Sequence, residues 1–211
     1  MDISSRIAAN RRRAADFFDG LDAGQLDTQS LCAAWTVREV LGHLVMPLET
    51  GTGTLLWRTV RARGSIDRAS ASIATDLARR PVTELTGLLR ERAEEATDVP
   101  IVGSMGPMTD GCVHLRDCAR PLGLADDATL DDWRLVLDWL PTKQASRGLV
   151  PRHRLDGLSL QATDQDWRWG DGVEIAGPSE ALAMAVAGRA AALDDLSGPG
   201  VGRLGERIHV S

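Results

Sequence analysis

The stretch Trp35-Thr36-Val37-Arg38-Glu39-Val40-Leu41-Gly42-His43-Leu44-Val45 reads as the start of a buried helix. Thr36, with Glu39 three residues on, makes a capping box. Hydroxyl and carboxylate each accept a backbone N–H that the first helical turn leaves without a partner. Val37, Val40, Leu41, Leu44, Val45 and Leu48 then recur at helical spacing and form one apolar stripe. Pro47 lacks an N–H and crowds the preceding turn, so a bend is expected there. The helix then resumes through Leu55, Leu56 and Trp57 towards Val60. His43 lies on or beside the apolar stripe and so faces an interior.

Working outward, residues 1 to about 19 read as helical, with Ile7, Ala14, Phe17 and Phe18 on one stripe until Gly20 and Gly24 interrupt it. A segment at 70–80 is helical or turn-like. Pro81 suits the first turn of a helix over 81–97 that buries Leu85, Leu88, Leu89 and Ala96. Pro100 to Pro107 is a break. A helix over 109–119 should stop before Pro121. Another, over 130–145, carries Leu130, Trp133, Leu137 and Leu140, with Pro141 placed to kink or end it. Five helices and no strand make residues 1–146 a helical bundle.

Beyond Lys143 the pattern changes. Gln144 to Gly148 reads as a linker, and His153-Arg154-Leu155 and Leu158 to Thr163 as extended chain. Trp167-Arg168-Trp169 and Val173-Glu174-Ile175 flank Gly170-Asp171-Gly172 as a hairpin-like unit. Pro178 opens a helix over Ser179–Leu193, Ser197-Gly198-Pro199-Gly200 breaks it, and a short helix ends near Arg207. Residues 147–211 are therefore a small α+β domain, too small to be stable alone and expected to pack on the bundle. The fold class is α+β.

Composition narrows the function. The chain has 211 residues, 43% hydrophobic and 26% charged, and no run near the roughly 20 apolar residues of a membrane span. The start lacks the apolar core of a secretory signal. Net charge is −6, from 30 acidic against 24 basic residues, which argues against a nucleic-acid partner. Arg11-Arg12-Arg13 is the one dense basic run and reads as a solvated helix face. Three cysteines, Cys32, Cys112 and Cys118, make no disulfide framework and suit a reducing cytoplasm.

Of the four histidines, His43, His114, His153 and His209, two invite chemistry. Asp110 precedes His114 by four residues, so both lie on one helix face. With His43 from another helix they offer two nitrogens and one oxygen, the donor set of a divalent metal with an open position. Each also has a plainer reading: His43 as a hydrogen-bonded core histidine, and Asp110/His114 as a spacing common in helices. Asp117 can orient a ligand or neutralise Arg116 or Arg120. No nucleophile elbow, dinucleotide fingerprint or P-loop is present. Gly51-Thr52-Gly53 reads as easing helix packing, Cys32 as a buried loop cysteine, and the six tryptophans as core anchors.

Two stretches carry a resemblance. Cys32 to Leu44, with Trp35-Thr36-Val37-Arg38-Glu39 and His43, resembles the start of the second helix in the mycothiol-dependent maleylpyruvate isomerase family of the DinB-like superfamily. Asp110-Gly111-Cys112-Val113-His114-Leu115-Arg116-Asp117-Cys118-Ala119-Arg120-Pro121-Leu122-Gly123 is similar to its second signature. Gly177 to Leu182, Ala187-Gly188-Arg189 and Leu196 to Gly200 resemble the family's C-terminal domain.

The resemblance implies a DinB-like four-helix bundle holding a divalent metal, usually zinc, through His43, Asp110 and His114. Family members commonly carry Glu where Asp110 stands; one methylene less brings the helix closer or shifts the metal. The family uses mycothiol, the small thiol of actinobacteria. In the isomerase it adds to the cis double bond of maleylpyruvate, permits rotation, and leaves as fumarylpyruvate forms. Related proteins resemble thiol S-transferases. The expectation is a mycothiol-dependent transferase or isomerase acting on a small electrophile, cytoplasmic, a monomer or homodimer. Arg116 and Arg120 are candidates for binding carboxylates. A metal enzyme using water or another thiol, or a non-catalytic binding protein, stays open. His43 should lie within ligand distance of Asp110 and His114, and Trp35 should be buried beside the helix start.

Overall fold

In the computed structural model, which describes residues 2–96 and 102–209, Thr36 and Glu39 cap their helix reciprocally. Thr36 Oγ1 accepts the Glu39 N–H at 3.3 Å and a Glu39 oxygen accepts the Thr36 N–H at 2.9 Å. Helix α1 spans Ile3–Asp19, α2 Ala23–Leu26 and α3 Val37–Glu49, followed by α4 at Thr52–Arg61, α5 at Ile66–Leu77 and α6 at Val82–Glu91. Helix α7 spans Met105–Leu122. One compact unit holds Met1–Thr97 and Asp110–Asp127; a second holds Asp98–Thr109 and Ala128–Ser211.

In the first unit α3 packs on α5 and α6, and α1 packs on α6. Phe18, Trp35, Val40, Leu41, Leu85, Leu89 and Leu115 belong to one buried core. The closeness of α3 to α5 depends on Gly42, where a Cβ would stand 2.3 Å from the Ala74 carbonyl oxygen. Thr75 on α5 also donates to Glu39 at 2.9 Å, so the capping carboxylate ties the two helices together.

Several expectations shift for local reasons. The bend at Pro47 becomes an end: α3 stops at Glu49 and a separate α4 follows. Leu56, Trp57 and Val60 on α4 are exposed. Gly51 and Gly53 face open space and ease no packing. Of the segment at 70–80, residues 70–77 belong to a full helix, α5, and 78–80 turn out of it. The helix expected over 81–97 ends at Glu91, and Ala96, expected inside, is exposed; residue 97 and Pro100 lie outside the described residues.

Helix α7 does not stop before Pro121 but runs through it. A proline there has no N–H for the Asp117 carbonyl, and the Leu31 N–H takes that carbonyl at 3.0 Å instead. The basic run is not a solvated face either. Arg11 donates to the carbonyls of Arg92, Ala93 and Glu95, satisfying acceptors just past α6, while Arg12 pairs with Glu94 and Arg13 bonds Asn10. None of the three cysteines is in a disulfide.

The second unit contains α8 (Leu130–Trp139), β1 (Leu158–Ala162), β2 (Arg168–Trp169), β3 (Val173–Gly177), α9 (Ser179–Val186) and α10 (Val201–His209). Helix α8, counted with the bundle from sequence, packs on α9. It ends at Trp139 ahead of Pro141. Helix α9 is shorter than expected because Gly188, at φ 96°, turns the chain out of helix; a 3₁₀ turn, Ala190–Asp195, replaces its second half.

The hairpin-like unit is not a hairpin. Strand order is β2-β1-β3, with β1 antiparallel to β2 and parallel to β3. The apolar residues of β1, Leu158, Leu160 and Ala162, claim the buried centre. The chain from β2 to β3 therefore crosses the start of β1. Gly172 permits this, since a Cβ there would lie 2.1 Å from the Gly157 backbone. Among the described residues no helix is long and apolar enough to cross a membrane.

Candidate metal centre

Two helices, α3 and α7, bring the candidate ligands together. The Thr36 cap sets the phase of α3 and so the direction of His43. Asp110, His114 and Asp117 follow at four and three residues on α7, on one face. Within the first unit the ligand atoms of His43, Asp110 and His114 all lie within 4.8 Å of one another.

The distances are informative. His43 Nε2 lies 3.3 and 3.2 Å from the two Asp110 oxygens, and His114 Nε2 lies 3.4 Å from Asp110 Oδ1. A direct bond between charged imidazolium and carboxylate would close to about 2.7–2.9 Å. Donors around a tetrahedral zinc at bond lengths of about 2.0–2.2 Å stand roughly 3.3–3.6 Å apart. The observed spacing is close to the second pattern, and the donor set, two imidazoles and one carboxylate, suits a borderline metal.

Asp117 supports the cluster from behind. Its side chain is fully buried, and Oδ2 lies 2.9 Å from His114 Nδ1. A carboxylate only accepts, so Nδ1 is the donor. This is the carboxylate–histidine arrangement that orients a metal ligand and raises its basicity.

His43 is held differently. Trp35, itself 8% exposed as expected, stacks on its ring at 4.4 Å and 26° and meets His114 edge-on at 5.5 Å. His43 Nδ1 is buried with no hydrogen-bond partner among the described residues, so packing does for this ring what Asp117 does for His114. Asp110 is the most exposed of the three, its side chain one-third accessible, and it marks the open side.

Charge follows geometry. Burial alone would raise the Asp110 carboxyl, yet the facing His43 and His114 hold it well below the usual carboxylate range. Burial alone would lower His114; Asp110 and Asp117 outweigh that and push its pKa up to about 9. Burial and Asp117 push the Cys118 thiol up, leaving it protonated and inert.

The remaining sequence candidates fall elsewhere. Arg116 and Arg120 are on α7 but off the His114 face, and Arg116 reaches the Leu124 carbonyl at 3.4 Å. Cys32 is partly buried in the loop before α3. His153 is in the second unit. Sequence reasoning placed Trp35 in the core but missed its stacking; only its position eight residues before His43 hinted at it.

Comparison with known proteins bears on the fold and the family. Two solved structures share the fold. One, a histidine-to-alanine variant of mycothiol-dependent maleylpyruvate isomerase, is 14% identical with a TM-score of 0.60, covering 94% of this chain and 93% of that one. The other, the mycothiol-dependent maleylpyruvate isomerase, is 16% identical with a TM-score of 0.53 over the same shares. No curated protein matches the chain. The profile of the mycothiol maleylpyruvate isomerase N-terminal domain matches residues 7–156, a span that takes in both the capped stretch of His43 and the helix of Asp110 and His114, and the chain belongs to that family.

Proposed function

We propose that His43, Asp110 and His114 hold a divalent metal, zinc first, and that the protein uses it with mycothiol on a small electrophile, as a thiol transferase or isomerase. The observation that carries the reading is the set of donor spacings about Asp110, 3.2 to 3.4 Å, with Asp117 behind His114. When bound, such a metal supplies a Lewis acid with an open position, at which a thiol ionises near neutral pH.

The chain's own residues do the rest. Asp117 keeps the proton of His114 on Nδ1 and so presents Nε2 to the cluster. Trp35 holds the plane of the His43 ring and walls off water on that side. Asp110 contributes the negative charge that balances a dication, and its exposed edge leaves the approach for thiol and electrophile. The same fold in a protein described as mycothiol-dependent supports the choice of thiol.

The test is bound metal by elemental analysis on untagged protein, beside His43→Ala and His114→Ala variants. The expected result is about one divalent ion per chain, lost in both variants, followed by saturable mycothiol binding to the loaded protein. No metal in the wild type after zinc is supplied would overturn the reading. Metal binding without any response to mycothiol would leave a metal enzyme that uses water or another thiol.

A further inference from the structure

The second unit carries a cavity of about 550 Å³ whose lining is strongly one-signed. Lys143, Arg147, Arg152 and Arg154 contribute to it, against a single carboxylate, Asp156. That carboxylate is engaged: Asp156 Oδ2 lies 2.6 Å from His153 Nδ1. Lys143, Arg147 and Arg152 are exposed and carry no ion pair among the described residues. The chain as a whole is acidic at −6 and has one lysine, so converging cations on one cavity run against its composition.

The wall is built rather than loose. Arg154 is 4% exposed and donates to the Val186 carbonyl at 3.1 Å. Arg207 on α10 clamps the same loop, donating to the carbonyls of Arg154 at 2.7 Å and Asp156 at 2.9 Å. Burial and the neighbouring Arg189 both act to lower the Arg154 pKa. The same lining includes Leu140, Val150, Leu155 and Trp169, together with Thr142 and Ser146. Ligand pockets of about 300–1,000 Å³ combine an apolar lining with a few convergent polar groups in this way.

We infer that this cavity binds a small organic anion: a carboxylate or phosphate group, or a pair of them, on an apolar body that rests on the Trp169 side. Lys143 and Arg152 at the rim capture the charge, Arg147 adds to the field, and buried Arg154 fixes its depth. Nothing in this inference depends on the metal reading, because every residue it uses lies in the second unit.

The experiment is calorimetric titration of the metal-free full-length chain with three probes: benzene-1,2-dicarboxylate, phenyl phosphate, and the neutral dimethyl ester of the first. The variants are Lys143→Gln/Arg152→Gln and, as a control on the other site, His43→Ala. Both exchanged rim residues are exposed, and circular dichroism checks that the double variant folds. At least one anion should bind with a Kd below 1 mM, and the ester at least tenfold more weakly. The double variant should lose tenfold or more, His43→Ala should bind as wild type does, and 0.5 M salt should weaken binding several-fold. Which anion binds tells carboxylate from phosphate recognition. Equal binding of the ester, unchanged binding in the double variant, loss in His43→Ala alone, or no binding of either anion at 10 mM each overturns the inference.

Discussion

His114 and Asp117 in the first unit, and His153 and Asp156 in the second, share one spacing and one bond. In each, Nδ1 of the histidine faces a carboxylate oxygen three residues on, at 2.9 and 2.6 Å. Their settings differ completely. Asp117 is fully buried and His114 nearly so, whereas His153 is 83% and Asp156 67% exposed. The buried pair has Asp110 and His43 on its other side. The exposed pair closes a turn at which His153 adopts φ 69°. A motif at this spacing thus gains chemistry from what a second helix brings to it and from the water it excludes.

The largest effect expected from breaking this contrast is at Asp117. Asp117→Ala removes one member of a buried ionic hydrogen bond, which costs roughly 3–5 kcal/mol of folding stability. It should also weaken metal binding by about 10–100-fold, the usual loss when the residue orienting a ligand is removed. Urea denaturation of the metal-free chain and a competitive zinc titration read the two effects separately. A variant matching wild type in both would mean that the buried pair is no stronger than the exposed one.

A pH series sharpens the same point. His114 is raised from 6.5 to about 9 in the folded metal-free chain, facing Asp110 and Asp117, with His43 beside them. A raised histidine stabilises the fold fully below the unfolded value and loses that contribution as pH climbs through the folded one. Stability of the metal-free protein should therefore fall between about pH 6.5 and 9, and this component should vanish in His114→Gln. A difference curve between the two proteins that is flat across the window would refute the assignment.

Much of the site was legible because it rests on local rules. The Thr36 capping box fixes the phase of α3, and with it where His43 points; spacing alone puts Asp110, His114 and Asp117 on one face of α7. What stayed hidden needed distant partners. Trp35 stacks on His43 from a loop that hydrogen bonds within itself and to the Asp117 carbonyl through Leu31, an acceptor that Pro121 leaves open. The order β2-β1-β3 was concealed because glycines that permit a close crossing look the same as glycines of a tight turn. The arginine run misled for a similar reason: the acceptors of Arg11 are carbonyls about 80 residues away, which no helical periodicity reveals.

Gly42 tests whether helix approach creates the buried setting. Alanine there would gain about 1 kcal/mol from helix propensity, but its Cβ meets the backbone of Ala74 at 2.3 Å and of Ala78 at 3.1 Å, which cannot swing aside. Overpacking against backbone costs about 1–3 kcal/mol or more. Gly42→Ala should therefore lose about 2 kcal/mol, lowering Tm by roughly 4–8 °C for a chain of this size, and should weaken metal binding because His43 is on the displaced helix. Gly53→Ala on α4, facing open space, serves as the control and should be neutral or slightly stabilising. A rise in Tm of similar size in both would show that helix propensity, not packing against Ala74, decides the outcome at Gly42.

The smallest effect belongs to the exposed pair. His153→Ala deletes a solvent-facing ion pair of the kind worth about 0.2–1 kcal/mol while keeping a side chain at a left-handed backbone position. His153→Gly deletes the same pair but relieves the backbone, since glycine occupies positive φ without steric cost. Glycine should thus match or exceed wild type in denaturation midpoint, with alanine slightly below, all within about 1 kcal/mol. Alanine costing as much here as at Asp117 would show that exposure does not separate the two pairs. The expected order, glycine at or above histidine and histidine above alanine, would instead assign this histidine to the shape of its turn and the rim of its cavity, leaving metal chemistry to the pair that a second helix encloses.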